Sequence, residues 1–216
     1  MAMRKILLAV MGACATTAFA IQDRSLAEFP RFEGETDDAP RFQRAVDACT
    51  CSVLIVPGGG VFANDVRGLG VDGTAAHWMA VAAMDQYGWF LSTFGVLAED
   101  VCSMPEAGAR IFLPYRVLRT ADPLPHSWDV TSDAISAWVA GQLGCPLVLL
   151  KSVDGVLSGG ELLAEMPEGM ETDVIDPCCR DVLRRYAVPA MIINGRCPDR
   201  LSACLHGAGV PGTRLR

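Results

Sequence analysis

What most restricts the fold is an alternation of short, wholly apolar runs with segments of helical spacing. "CSVLIVP" (51–57) is rich in Val and Ile and closes on Pro and Gly, as a strand buried on both faces does. Residues 74–91, "TAAHWMAVAAMDQYGWFL", repeat apolar side chains at helical intervals with one interruption, Gly88. "ARIFLPYRVL" (109–118) reads as a second strand. "TSDAISAWVAGQLG" (131–144) opens on Thr131 or Ser132 as N-cap, carries Ile135, Trp138, Val139 and Leu143, and stops at Gly144. "CPLVLLKSVDGVL" (145–157) is a further buried strand ending in a polar turn, and "RDVLRRYAVPAMIING" (180–195) gives a helix and then a strand. Strand, helix, strand in this order predicts an α/β protein, a three-layer α/β/α sandwich with a central, mainly parallel sheet.

A chain of 216 residues, 51% of them hydrophobic, can bury such a core as one large domain or two tightly joined lobes. Its 18 basic against 25 acidic residues, net charge −7, argue against general nucleic-acid binding, which needs Lys and Arg along a phosphate backbone. No segment is long and apolar enough to span a bilayer. The nine cysteines form no CxxC pair and only His77, His126 and His206 could join them, a poor basis for a zinc or iron-sulfur framework. Most of the thiols read as small buried side chains in a reducing compartment. Residues 1–20 leave two readings open: an export signal, with Arg4 and Lys5 before an apolar stretch ending Ala18, Phe19, Ala20, or a first core strand "KILLAV".

In an open parallel sheet, ligands bind beyond the carboxyl ends of the strands. After the first run stand Gly58, Gly59 and Gly60, whose amides can approach an anion closely. Lys151, Ser152, Asp154 and Gly155 follow the run at 147–150, and Asn194, Gly195 and Arg196 follow "AMII". Together these ends suggest a phosphate-bearing ligand. Each also has a plainer reading: a tight turn at 58–60, a hairpin at Asp154 and Gly155, a charge against the helix dipole at Asp133, packing at His77 and Trp78. No GxxxxGK[ST] occurs in the chain, and no GxGxxG follows the strand.

In order, "IVPGGGVFANDVR", "AHWMAVAAMDQYG", "HSWDVTSDAISAW", "LLKSVDGV" and "INGRCPDRL" resemble the amino acid kinase superfamily, which includes acetylglutamate, aspartate, uridylate and isopentenyl phosphate kinases. Within it, "HSWDVTSD" and "NGRCPDR" resemble the aminomethylfuran methyl phosphate kinases of methanofuran-type cofactor synthesis. The resemblance runs from about residue 25 to 216. It implies phosphoryl transfer from ATP, with Mg²⁺, to a phosphomonoester acceptor. Gly58, Gly59 and Gly60 would hold phosphate oxygens, with Asn64 and Arg67 near the acceptor; Trp128, beside His126 and before the helix at 131, is read from its position as a substrate neighbour. Asp133 matches the aspartate that organises cations around the transferring group. Lys151, Asp154 and Gly155 match the nucleotide-contacting segment, and Ser25 matches part of the ATP-phosphate loop.

That loop, Lys-x-Gly-Gly-Ser-Leu in relatives, is matched here by "AIQDRSLAEFP", where Ile21, Gln22, Asp23 and Arg24 stand in place of the lysine and glycines. Arg184 or Arg185 is a possible replacement cation. The resemblance further implies one domain over 25–216, its acceptor half about 25–125 and its nucleotide half about 126–216. A homo-oligomer in the cytoplasm is also expected.

Overall fold

The computed structural model describes residues 4–10, 51–71 and 73–215. In chain order these form β1 (Arg4–Val10), β2 (Cys51–Pro57), α1 (Gly60–Gly68), α2 (Gly73–Ser92), β3 (Ala98–Glu99), β4 (Gly108–Phe112) and α3 (Tyr115–Ala121). There follow α4 (Ser132–Leu143), β5 (Leu147–Lys151), β6 (Leu157–Ser158), β7 (Glu161–Leu162), α5 (Pro177–Arg185), β8 (Ala190–Asn194), α6 (Pro198–Leu205) and β9 (Thr213–Leu215). Seven strands make one sheet in the order β3, β4, β2, β1, β5, β8, β9, parallel throughout except for β9 against β8. Of the two readings of the N-terminus, residues 4–10 form a strand paired on both sides, with β2 and with β5.

Side-chain alternation along the strands builds two cores. Leu7, Leu54, Val56, Leu147, Leu149 and Ile192 face one side, with α4 and α5; Val53, Ile55, Ile111, Val148, Leu150 and Ile193 face the other, with Leu201 of α6. The helix α2 contributes to both, through Val81 and Met84 and then Tyr87 and Leu91. Burial on both faces accounts for the unbroken apolar runs in β2 and β5, since neither side of these strands meets water. The chain leaves β1 toward β2 and β4, then crosses back to β5 on the other side of β1. A crevice opens at such a reversal, beyond the strands' carboxyl ends.

Three expectations are corrected. The run 109–118 is a strand only to Phe112; Pro114 then caps α3, and the Asp85 carboxylate accepts the Tyr115 amide at 3.0 Å. Proline lacks the amide a strand would need and fixes a φ suited to a helix start, so the apolar continuation is helical. Asp154 and Gly155 are not a hairpin turn: the hairpin is β6 with β7, turning through Gly159 and Gly160. Of the six cysteines whose side chains are described, Cys145 and Cys179 are buried and the other four are half-buried.

Gly88, the one interruption in α2, sits where the helix meets the sheet. A Cβ there would lie 2.6 Å from Leu113 Cδ2 and 3.3 Å from Pro57 Cγ. Gly88→Val is expected to lower stability by about 1–3 kcal/mol through overpacking, despite its better helix propensity. A urea midpoint equal to or above wild type would contradict this packing.

Candidate active site

Beyond the carboxyl ends of β2 and β5 lies a cavity of about 690 Å³, within the roughly 300–1,000 Å³ usual for small-molecule sites. Its first wall is the turn at 58–60. Gly60 has a φ of +57°, and a Cβ on it would meet the Tyr87 ring at 2.5 Å; one on Gly59 would meet Ala63 Cβ at 2.4 Å. The turn therefore has no room for side chains and presents bare backbone. α1 begins there without a side-chain cap, so its first-turn amides, which a helix cannot satisfy internally, border the cavity.

The starts of α2 (Gly73), α4 (Ser132, Asp133) and α5 (Pro177) line the same space. Four helices thus direct the positive ends of their dipoles at one volume, a field that favours an anion. Two of these starts share one carboxylate. Asp176 Oδ2 accepts the Thr131 amide at 2.9 Å, the Thr131 hydroxyl at 2.7 Å and the Ala134 amide at 2.9 Å, while Oδ1 accepts the Cys179 amide at 2.7 Å. Asp176 caps α5 and anchors the entry to α4. Its own motif, Asp before Pro177 at the first helical position, is readable locally; the reach to Thr131 is not.

Below lies a buried ion pair. Lys151, at the end of β5, donates to Asp133 Oδ2 at 2.5 Å, and the Asp176 amide donates to the same oxygen at 3.3 Å. Both side chains are about 5% exposed or less. Burial pushes the Asp133 carboxyl above its ordinary range, and the charge and hydrogen bond of Lys151 pull against that shift. Beside them, burial and then Asp133 and Asp176 push the Cys179 thiol well up, so it packs as a small apolar group and not as a nucleophile.

The expected residues divide between the cavity and its surroundings. Gly58, Gly59, Gly60, Asn64, Arg67, Trp128, Asp133 and Lys151 all line it. Arg67 donates to Asn64 Oδ1 at 2.9 Å, and its guanidinium lies 5.0 Å from the centroid of the Trp128 ring, linking α1 to the loop before α4. Asp154 and Gly155 do not line it. Asp154 is bound by the Asn194 amide at 2.8 Å and Arg200 at 2.6 Å, which hold its carboxyl below the ordinary range. Gly155 is packed against Thr213 and Leu162, where a Cβ would come within 2.4 Å of Thr213 Oγ1.

The end of β8 is likewise absent from the lining: Asn194 is spent on Asp154 and on the Arg196 amide. Of the three strand ends read from the sequence, those of β2 and β5 line the cavity. Arg184 stands at the far end of α5 from it, 3.7 Å from Glu168. Ser25 and residues 21–24 lie outside the described residues. β1 itself ends in Ala9 and Val10, with no lysine at its carboxyl end.

The same architecture is found in solved kinases. UMP kinase from Ureaplasma parvum superposes with a TM-score of 0.66 at 16% identity, over 100% of this chain and 99% of that one. Uridylate kinase from Archaeoglobus fulgidus gives 0.61 at 17% identity, over 98% and 100%. An isopentenyl phosphate kinase gives 0.59 at 16% identity, over 98% and 100%. No protein-family model matches the chain. The chain has the amino acid kinase fold. Among curated proteins it is similar to (5-(aminomethyl)furan-3-yl)methyl phosphate kinase of Methanocaldococcus jannaschii, 29% identical over 173 residues, 72% of this chain and 79% of that protein.

Removing Lys151 tests the buried pair by stability alone. A carboxyl raised on folding keeps its proton where the unfolded chain has released it, so its stabilising share is present in acid and lost as pH rises through the folded value. Lys151→Met removes the group that opposes this rise. The variant is expected to lose about 3–5 kcal/mol near pH 8, where Asp133 must be charged without a partner, and clearly less near pH 5. A loss independent of pH, measured by urea unfolding, would contradict the pairing.

Proposed function

We propose that the protein is an ATP-dependent kinase that adds a phosphoryl group to a phosphomonoester of the aminomethylfuran type, forming a diphosphate. One observation carries the reading: a side-chain-free glycine turn, four helix starts and a buried lysine meet in one cavity large enough for small-molecule substrates. The named relative supplies the substrate class. Residues 58–60 with Asn64 and Arg67 would hold the acceptor's phosphate, in an acceptor half at about 25–125. The second half, about 126–216, would take the nucleotide, with Lys151 at its phosphates and Asp154 and Gly155 shaping the adjoining rim.

The residues present fit such a ligand, since the first-turn amides of α1 and the cation of Lys151 are donors for phosphoryl oxygens. When bound, ATP with Mg²⁺ supplies the phosphoryl group and the cation that offsets its charge. The protein's part is to position and to stabilise charge. Asp133 holds the Lys151 ammonium in place and, through Asp176, is tied to the start of α5. We further place the protein in the cytoplasm as a homo-oligomer: cleavage after Ala20 would remove β1 from between β2 and β5.

The sequence favours a second reading. With Ile21, Gln22, Asp23 and Arg24 where the resemblance expects the lysine and glycines, the protein would bind its phosphorylated ligand without transferring phosphate. Turnover is therefore expected to be slow, at least about 10²-fold below the roughly 1–100 s⁻¹ of typical kinases. The test is to incubate the full chain with ATP, Mg²⁺ and a panel of phosphomonoesters, following ADP and product mass. The kinase reading expects one ADP per diphosphate, with Asp133→Asn still folding cooperatively but without turnover. Ligand-raised melting temperature with no ADP from any acceptor would establish the binder instead, and full activity in Asp133→Asn would remove Asp133 from the reaction.

A further inference from the structure

His77 has no part in the site as derived so far, yet it lines the cavity at 9% exposure. Its ring is fixed from two sides. His126 stacks on it at 4.4 Å and 19°, and Trp78 meets it edge-on at 4.7 Å. His126 is itself pinned, with Nε2 against Asp122 Oδ1 at 2.8 Å and Nδ1 against Thr74 Oγ1 at 3.0 Å. No hydrogen-bond partner for either nitrogen of His77 is found among the described residues. A buried polar ring held this firmly at a cavity wall, with its own capacity unused among the described residues, is placed to meet a ligand.

The surroundings say what kind. Gly73, Ala76 and Ala80 share the lining face of α2 with His77, at helical spacing, and leave a shallow wall of small residues. Trp128 with Arg67 against it supplies a flat aromatic face elsewhere in the same lining. A small planar ring suits such a slot. Of the buried titratable acceptors lining the cavity among the described residues, Asp133 is paired with Lys151 and Asp176 has four donors, whereas His77 has none.

We propose that His77 determines acceptor specificity, its imidazole accepting a hydrogen bond from an ammonium group carried on a small flat ring whose phosphate lies at residues 58–60. This deepens the kinase reading and rests on it for the placement of the phosphate. Burial, and next the neighbouring His126, hold His77 below its ordinary pKa, with Asp122 pulling the other way, so the ring stays neutral and keeps a lone pair to offer.

The test compares (5-(aminomethyl)furan-3-yl)methyl phosphate with the same ester bearing methyl in place of aminomethyl. Dissociation constants are measured by calorimetry without nucleotide, and KM and kcat with it. Wild type is expected to prefer the amine, and His77→Ala to weaken amine-ester binding about tenfold or more, the scale of a hydrogen bond to a charged group, while leaving the methyl ester within about twofold. His77→Gln, which keeps an acceptor oxygen and much of the bulk, is expected to restore part of the preference; it serves as the test variant should alanine not fold. Equal losses on both esters would mean that His77 only packs. A preference removed by Asp173→Asn, at the exposed mouth, and not by His77→Ala would also overturn the assignment. Wild type that turns over both esters equally sinks this inference but leaves the kinase intact; wild type that binds the amine preferentially but turns over neither sinks the kinase and leaves His77 as an ammonium reader.

Discussion

Asp133 and Lys151 leave water together, and the cavity floor depends on that. Isolated in the protein interior, each charge would cost several kcal/mol. At 2.5 Å, with the Asp176 amide on the same carboxylate oxygen, the two offset one another. The pair does more than cancel charge. It ties the first turn of α4 to the end of β5, and Asp176 carries the connection on to the start of α5. Three elements distant in sequence are thereby fixed around one point, and Lys151 lines the same cavity as the glycine turn after β2.

The proposed binding of a phosphate is a local matter, separate from the chain's net charge of −7. At physiological salt, exposed charges are screened beyond about 8 Å, so surface carboxylates on the far faces have little weight inside. Helix starts act within a turn of their ends, each contributing about 0.3–1 kcal/mol and up to about 2 where partly buried. Asp176 already occupies the amides at the starts of α4 and α5, so the uncapped start of α1, beside the turn at 58–60, is where helix donors remain open to a ligand. The same arrangement explains why the glycines must be bare: Ala63 and Tyr87 already occupy the volume that side chains would need.

Much of this was legible in sequence, and what was not has a common cause. The apolar runs of β2 and β5, the caps of α4 at Thr131 and Gly144, and the glycine turn are local signals, and each stands in the structure where it was read. Asp133 and Lys151 were singled out separately, but nothing local paired them across 18 positions. The second role of Asp176 spans 45 positions and was invisible for the same reason. Periodicity misread Tyr115 onward as strand because Pro114, not the apolar pattern, decides the helix start. The end of β8 carried the right residue types for a ligand, yet Asn194 is committed to Asp154. His77 looked like packing, which is half true: one face stacks on His126 while the side chain borders the cavity.

The account stands on a phosphate meeting backbone amides at the start of α1. A crystal structure of the full chain with a bound phosphomonoester tests this most directly. The account predicts phosphate oxygens within hydrogen-bonding distance of the amides of residues 59–61, with the Lys151 ammonium facing the same pocket. Density for the ester at the rim beside Asp154, or with its phosphate turned to solvent and its ring against the glycine turn, would contradict it.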